Sequence, residues 1–259
     1  MKFYKKWSVL GTALLIMLLF ALPAFAQWQS TPVQSVTFRE TVPQNAIVVD
    51  GDDVYVAAHD GHRLVVYRWN ISSSSEKLDA VWLIDGNLVS GSAGAYPSMA
   101  LYDDGTHKYV LLSYIANGKL KVALFDPDDE TWYIKEVPCA DLRSPQYTSI
   151  AVGYANSAFD GGATVAAIAV GGDSGVYLAT VNMGAVGSAT EAQFKSNLNW
   201  EVSRITDKKA TGVDVFLLPQ NAGLSKWDGL IYVSYIAGEY GQSGTGLYLA
   251  VSKDGKNWS

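Results

Sequence analysis

The sequence predicts an all-β fold assembled from a repeated unit of short antiparallel strands, and three observations carry that expectation. From Gln27 onward, runs rich in Val, Ile, Leu and Tyr alternate with Gly, Asp, Asn and Ser clusters; helical periodicity is scarce; and strand-turn-strand segments recur at a nearly constant interval. With 49% hydrophobic and 17% charged residues among 259, the chain can bury a sizeable core and is too apolar to be disordered.

The first element is not part of that fold. Lys2, Lys5 and Lys6 precede an apolar run over residues 9–22, then Pro23 and the small-x-small triplet Ala24-Phe25-Ala26. A basic start, an apolar stretch and such a triplet read as a signal peptide over residues 1–26, with cleavage before Gln27. An uncleaved anchor is the alternative, because residues 8–26 are almost long enough to span a bilayer. The domain proper is then 27–259, secreted or periplasmic, with no membrane contact after cleavage. Lys plus Arg is 19 against 25 for Asp plus Glu, and three of those lysines lie in the leader, so the domain is acidic and no nucleic-acid partner is expected.

The strands align as repeats. Val54-Tyr55-Val56-Ala57, Tyr109-Val110-Leu111-Leu112, Val165-Ala166-Ala167-Ile168 and Ile231-Tyr232-Val233-Ser234 are each followed by a turn and a further strand, starting at Leu64, Leu120, Val176 and Leu247. Short copies set the register. Ser113-Tyr114-Ile115-Ala116 returns as Ser234-Tyr235-Ile236-Ala237, and Gly175-Val176-Tyr177-Leu178-Ala179 returns as Gly246-Leu247-Tyr248-Leu249-Ala250. Upstream, Ser98-Met99-Ala100 and Ser149-Ile150-Ala151 open equivalent strands. The turn at Gly171-Gly172-Asp173-Ser174-Gly175 reads as a hairpin, and residues 190–198 as a helical turn or two. A three- or four-stranded unit cannot cover both of its faces, so radial stacking into a β-propeller is the economical arrangement, with about four blades present. A β-sandwich is the alternative, since it also repeats short strands.

The most specific motif closes a unit. Ser252-Lys253-Asp254-Gly255-Lys256-Asn257-Trp258 follows one third strand, and Asp126-Pro127-Asp128-Asp129-Glu130-Thr131-Trp132 holds the same place two units earlier. In both, the central Asp precedes Trp by four residues. A carboxylate can accept backbone N–H groups inside a tight turn, Gly permits positive φ, and Trp packs back between sheets. On Ser252, Asp254, Gly255, Trp258, Asp128 and Trp132 the chain resembles the sialidase-like Asp-box (BNR) repeat β-propeller family. In that family the boxes are structural turns remote from the ligand. The resemblance implies a six-bladed ring, of which this chain would be part, and an activity concerned with glycans.

In a propeller, the loops joining blades and those between second and third strands gather at one mouth of the axis, the default ligand site. The candidate ligand-binding residues there are Arg39, His59, His62, Arg63, Tyr96, Arg143 and Tyr147. The resemblance implies a tyrosine nucleophile paired with Glu, an Asp acid/base and arginines for a substrate carboxylate; the candidates are Asp60, Glu239 and Tyr240 as catalytic groups. A binding module for glycan or a cell-surface protein needs no such constellation, and 15 Tyr and 8 Trp offer surfaces for sugar stacking. The residues leave binding module and glycoside hydrolase both open.

No cofactor is implied: Walker and dinucleotide glycine patterns are missing from the sequence. Asp126-x-Asp128-x-Glu130 resembles the start of a calcium loop, but Thr131 stands where that loop requires Gly and no Glu lies at its twelfth position, so no metal is expected there. Three histidines are too few for a zinc site. Cys139 is the only cysteine, which excludes an intramolecular disulfide and reads as a spare buried thiol.

Overall fold

In the computed structural model the chain divides into residues 1–35 and a unit over 36–259. The structure describes residues 45–59, 64–72, 80–84, 93–128, 130–155, 163–185, 199–217, 229–238 and 244–259, all in the second unit. Residues 190–198 lie outside the described residues.

Four antiparallel sheets follow one another along the chain. The first contains β1 (Asn45–Asp50), β2 (Asp53–His59), β3 (Leu64–Asn70) and β4 (Ala80–Ile84). The second contains β5 (Ala93–Asp103), β6 (Lys108–Ala116), β7 (Lys119–Asp126) and β8 (Thr131–Glu136). The third contains β9 (Pro145–Ala155), β10 (Ala163–Gly172), β11 (Gly175–Asn182) and β12 (Glu201–Thr206). The fourth contains β13 (Ala210–Leu217), β14 (Ile231–Ala237) and β15 (Gly246–Ser252). Each is a meander in which sequence neighbours pair, so the repeats read from the sequence are one sheet apiece.

The register copies hold in space. Ser98 pairs with Ser113 and Asp214 with Ser234, so the two Ser-Tyr-Ile-Ala segments occupy one position in their sheets. The hairpin at 171–175 closes with Gly172 opposite Gly175. The last sheet has three described strands, within the three or four expected of each unit, and Ser259 exchanges two backbone hydrogen bonds with Val251 on the outer side of β15.

The sheets pack face to face in chain order, which explains their hydrophobic patterns. In β6, Val110, Leu112, Tyr114 and Ala116 enter the core shared with the first sheet, while Tyr109, Leu111 and Ile115 enter the core shared with the third. A sheet covered on both faces loses apolar-polar alternation, as β6, β7, β10 and β11 do. A further core, built on Ala167, Leu178, Val215 and Val233, joins the third and fourth sheets. The opening strands run beside one another: β1 packs on β5, β5 on β9 and β9 on β13.

Side-chain hydroxyls link these opening strands. Ser98 Oγ accepts the Ile150 N–H at 3.1 Å, and Ser149 Oγ accepts the Val215 N–H at 3.2 Å. Ser149 also donates to Asp214 Oδ1 at 2.6 Å. The Ser98 and Ser149 copies seen in the sequence therefore do the same work, each tying its sheet to the backbone of the next.

The Ser252–Trp258 turn is held as the motif requires. Asp254 Oδ1 accepts the Lys256 N–H at 2.9 Å and the Asn257 N–H at 2.8 Å, and Oδ2 accepts the Asn257 side-chain amide at 2.7 Å. Ser252 Oγ accepts the Gly255 N–H at 2.9 Å, and Gly255 takes a φ of 68°. Trp258 packs against the core of the third and fourth sheets and donates its Nε1–H to Ser203 Oγ at 3.4 Å. Ser203 in turn donates to the Gly255 carbonyl.

In the earlier turn Trp132 likewise packs into a core, between the first and second sheets. There, however, Asp126 rather than Asp128 accepts the local backbone bond, from the Asp128 N–H at 3.0 Å, and Glu130 takes the positive φ of 54°. Pro127 between the two acids supplies no N–H, which leaves the Asp128 amide as the nearest donor to the earlier carboxylate.

The Asn257 and Lys256 N–H groups hold the Asp254 carboxyl well below the usual carboxylate range. The His107 and Thr106 N–H groups hold Asp104 at about 2. Both folded values lie below the unfolded one of about 3.9, so the stabilisation is complete above that pH and is lost as pH falls towards the folded values. The expected result is a melting temperature flat above about pH 5 that declines below about pH 4, with a shallower decline in Asp254→Asn. Thermal melts of both proteins across pH 2–7 check it; identical acid limbs would refute the role given to Asp254.

Candidate functional site

A pocket of about 340 Å3 opens where the four opening strands begin. Its described lining is Asn45 at the start of β1, Tyr96 and Pro97 of β5, Tyr147 and Thr148 of β9, and Thr211, Gly212 and Val213 of β13. All four sheets contribute, each near the N-terminal end of its opening strand. At that end lie the connections between sheets and the hairpins joining second to third strands.

Two tyrosines form one wall. The Tyr96 and Tyr147 rings stand 5.0 Å apart between centroids at 54°. Backbone irregularity places Tyr96: its φ is 56°, and the β5–β6 register shifts between Ala95 and Ser98. A non-glycine residue in this region is uncommon and costs on the order of 1 kcal/mol, so neighbours must hold it. Thr148 Oγ1 does so, donating to the Tyr96 carbonyl at 2.6 Å while lying 3.1 Å from Ser113 Oγ. The described lining is uncharged, pairing aromatic faces with the Thr148 and Thr211 hydroxyls and the Asn45 amide.

Of the sequence candidates, Tyr96 and Tyr147 are brought together here. His59 is buried at the end of β2 and is not in the described lining. Arg143 is exposed on the connection before β9 and is also outside that lining; its N–H donates to Ser174 Oγ at 2.8 Å and its carbonyl accepts the Asp173 N–H at 3.1 Å. These bonds tie the connection to the 171–175 hairpin. Arg39, Asp60, His62, Arg63, Glu239 and Tyr240 lie outside the described residues.

Asn45, Pro97, Thr148, Thr211, Gly212 and Val213 also line the pocket and were not among the candidates. Their only signal in the sequence is position, since they adjoin Tyr96 and Tyr147 or open the equivalent strands. Among the described residues no three His, Cys, Asp or Glu side chains gather as a metal site would need. Burial pushes the Cys139 thiol up to about 12, which disfavours the thiolate a nucleophile requires.

Stacked antiparallel sheets whose opening strands enclose a pocket define the class of structure, and comparison with solved structures agrees at the level of fold. AofleA from Arthrobotrys oligospora matches with a TM-score of 0.51 at 11% identity, over 84% of this chain and 55% of that one. Its triple arginine-to-alanine variant gives 0.52 at 13% identity over the same shares. The chain thus spans about half the length of the AofleA chain it matches. The phage phi92 endosialidase matches with a TM-score of 0.43 at 14% identity, over 80% of this chain and 34% of that one. No family model and no curated protein matches the sequence.

Proposed function

We propose that the described sheets are blades of an Asp-box β-propeller that binds glycan at its axial pocket, outside the cytoplasm. The observation that carries this reading is the Tyr96–Tyr147 wall set among hydroxyl and amide groups within a pocket of about 340 Å3. Sugar rings present apolar C–H faces and polar hydroxyl edges, and such a lining offers both complements. The packing of opening strand on opening strand, β1 on β5, β5 on β9 and β9 on β13, supports the propeller. The turn in which Asp254 and Ser252 accept backbone N–H groups, Gly255 takes a positive φ and Trp258 packs inward supports the Asp-box reading. The basic, apolar and Ala-Phe-Ala leader supports export.

Titration calorimetry against glycans selected from an array tests the site. Tyr147→Ala removes one ring of the wall and should weaken binding by roughly tenfold or more, about 1.4 kcal/mol per factor of ten. Tyr147→Phe should bind nearly as the parent does if ring stacking dominates. Failure of the parent protein to bind any glycan would overturn the reading, and turnover of a glycoside in the same panel would replace binding by hydrolysis.

A further inference from the structure

The second and third sheets each pack between two neighbours, and the aromatic wall of the pocket is built where they meet. Tyr96 and Tyr147 hold the same place in the repeat, each two residues before the serine of the Ser98-Met99-Ala100 and Ser149-Ile150-Ala151 copies. Their backbones nevertheless differ. Tyr147 pairs with Gly171, and the shift in its ladder falls beyond it. In β5 the ladder carries one residue too many: Ser98 pairs with Ser113 and Ala95 with Ile115, three steps against two. Tyr96 sits in that bulge with its φ of 56°, and a bulge re-aims the side chain it carries.

What holds the bulge comes from the other sheet. Thr148 Oγ1 donates to the Tyr96 carbonyl at 2.6 Å. A hydroxyl has a single proton, so in the 3.1 Å contact between Ser113 Oγ and Thr148 Oγ1 it is Ser113 that donates. Ser113 is fully buried, which anchors this chain of two bonds in the core.

The repeat shows that the hydroxyl is particular to this joint. The place of Thr148 is taken by Pro97 in the second sheet and by Val213 in the fourth, where Asp214 lies opposite Ser234 as Ser98 lies opposite Ser113. Of these three residues Thr148 alone can donate a side-chain hydrogen bond, and the carbonyl it meets belongs to the tyrosine with positive φ. A neutral hydrogen bond and the strain of a left-handed residue are of similar size, so removing the bond is enough to let the bulge relax.

We infer, taking the pocket as the proposed glycan site, that Thr148 is its positioning residue. From the third sheet it fixes the Tyr96 ring of the second at 5.0 Å and 54° to Tyr147, and so sets which sugar faces the wall accepts.

Ring contact and binding test this separately. Thr148→Val removes the hydroxyl and keeps the branched shape. In the unliganded protein with labelled tyrosine, nuclear Overhauser contacts between the Tyr96 and Tyr147 rings should be present in the parent, lost in Thr148→Val and regained in Thr148→Ser. Thr148→Ala removes the hydroxyl in a second way and should match Thr148→Val. By calorimetry, Thr148→Val should weaken glycan binding roughly fivefold on its own and less than about twofold in a Tyr96→Ala background, because its effect passes through that ring. Ring contacts unchanged by loss of the hydroxyl overturn the inference. So does an equal loss of affinity with and without the Tyr96 ring, which would put Thr148 in direct contact with the ligand instead. A parent that binds no glycan overturns the glycan reading alone, and the ring contacts still decide whether Thr148 places Tyr96.

Discussion

Phe125→Ala is expected to lower the stability of the unit by about 3–5 kcal/mol, the cost of truncating a fully buried aromatic whose surroundings relax incompletely. Phe125 has no exposed surface and sits among three other rings: Trp82 at 4.8 Å, Trp132 at 5.0 Å and Tyr55 at 5.6 Å between centroids. Tyr55 and Trp82 come from the first sheet, Phe125 and Trp132 from the second. The loss therefore falls on the joint between sheets and on aromatic pairing worth about 0.5–1.5 kcal/mol per pair beyond burial. For a unit of this size a fall of roughly 10 °C or more in melting temperature should follow. Phe125→Leu, which keeps most of the volume, should cost less than half as much. Urea unfolding followed by tryptophan fluorescence reads the difference, and equal midpoints for parent and Phe125→Ala would contradict the packing described.

Gly175→Ala should be nearly as damaging, at about 3 kcal/mol, for a different reason. Gly175 has a φ of 129°, and a Cβ there would come within 2.0 Å of the Thr206 carbonyl oxygen. That oxygen belongs to backbone at the end of β12, so relief requires the strand to shift, not a side chain to swing. The shift would disturb the connection leading into β13 and with it one side of the pocket. Gly118→Ala is the control. It has a φ of 71°, but nothing lies within 4 Å of the added atom, so only the conformational cost of about 1 kcal/mol applies. Equal stability losses at the two positions would show that the close approach to Thr206 does not decide the outcome.

The same contrast explains what was legible in the sequence. Second and third strands were readable because they carry long apolar runs and are copied in detail, as in Ser113–Ala116 against Ser234–Ala237. The Ser252–Trp258 turn was readable because one carboxylate must serve several N–H groups, which restricts the residues at each place. Opening strands were harder. Val48 and Ile47 face opposite ways yet are both apolar, and Tyr96 reaches the pocket through a positive φ and a register shift that periodicity does not encode. Tyr96 and Tyr147 were named as loop-end aromatics and both line the pocket, whereas Thr211, Gly212 and Val213 carry no chemical signature. Arg143, named from its loop position, lies outside the described lining, on a connection whose backbone bonds to the neighbouring hairpin.

The hydroxyl links between opening strands bear on how such a molecule can change over generations. Peptide ladders end at the edge of each sheet; among the described residues, hydroxyls of Ser98, Thr148 and Ser149, three replaceable side chains, bridge one opening strand to the next. The spacing of the opening strands can therefore shift by single codon changes that leave every ladder intact, so the pocket bordered by those strands is free to diverge while the sheets are inherited unchanged.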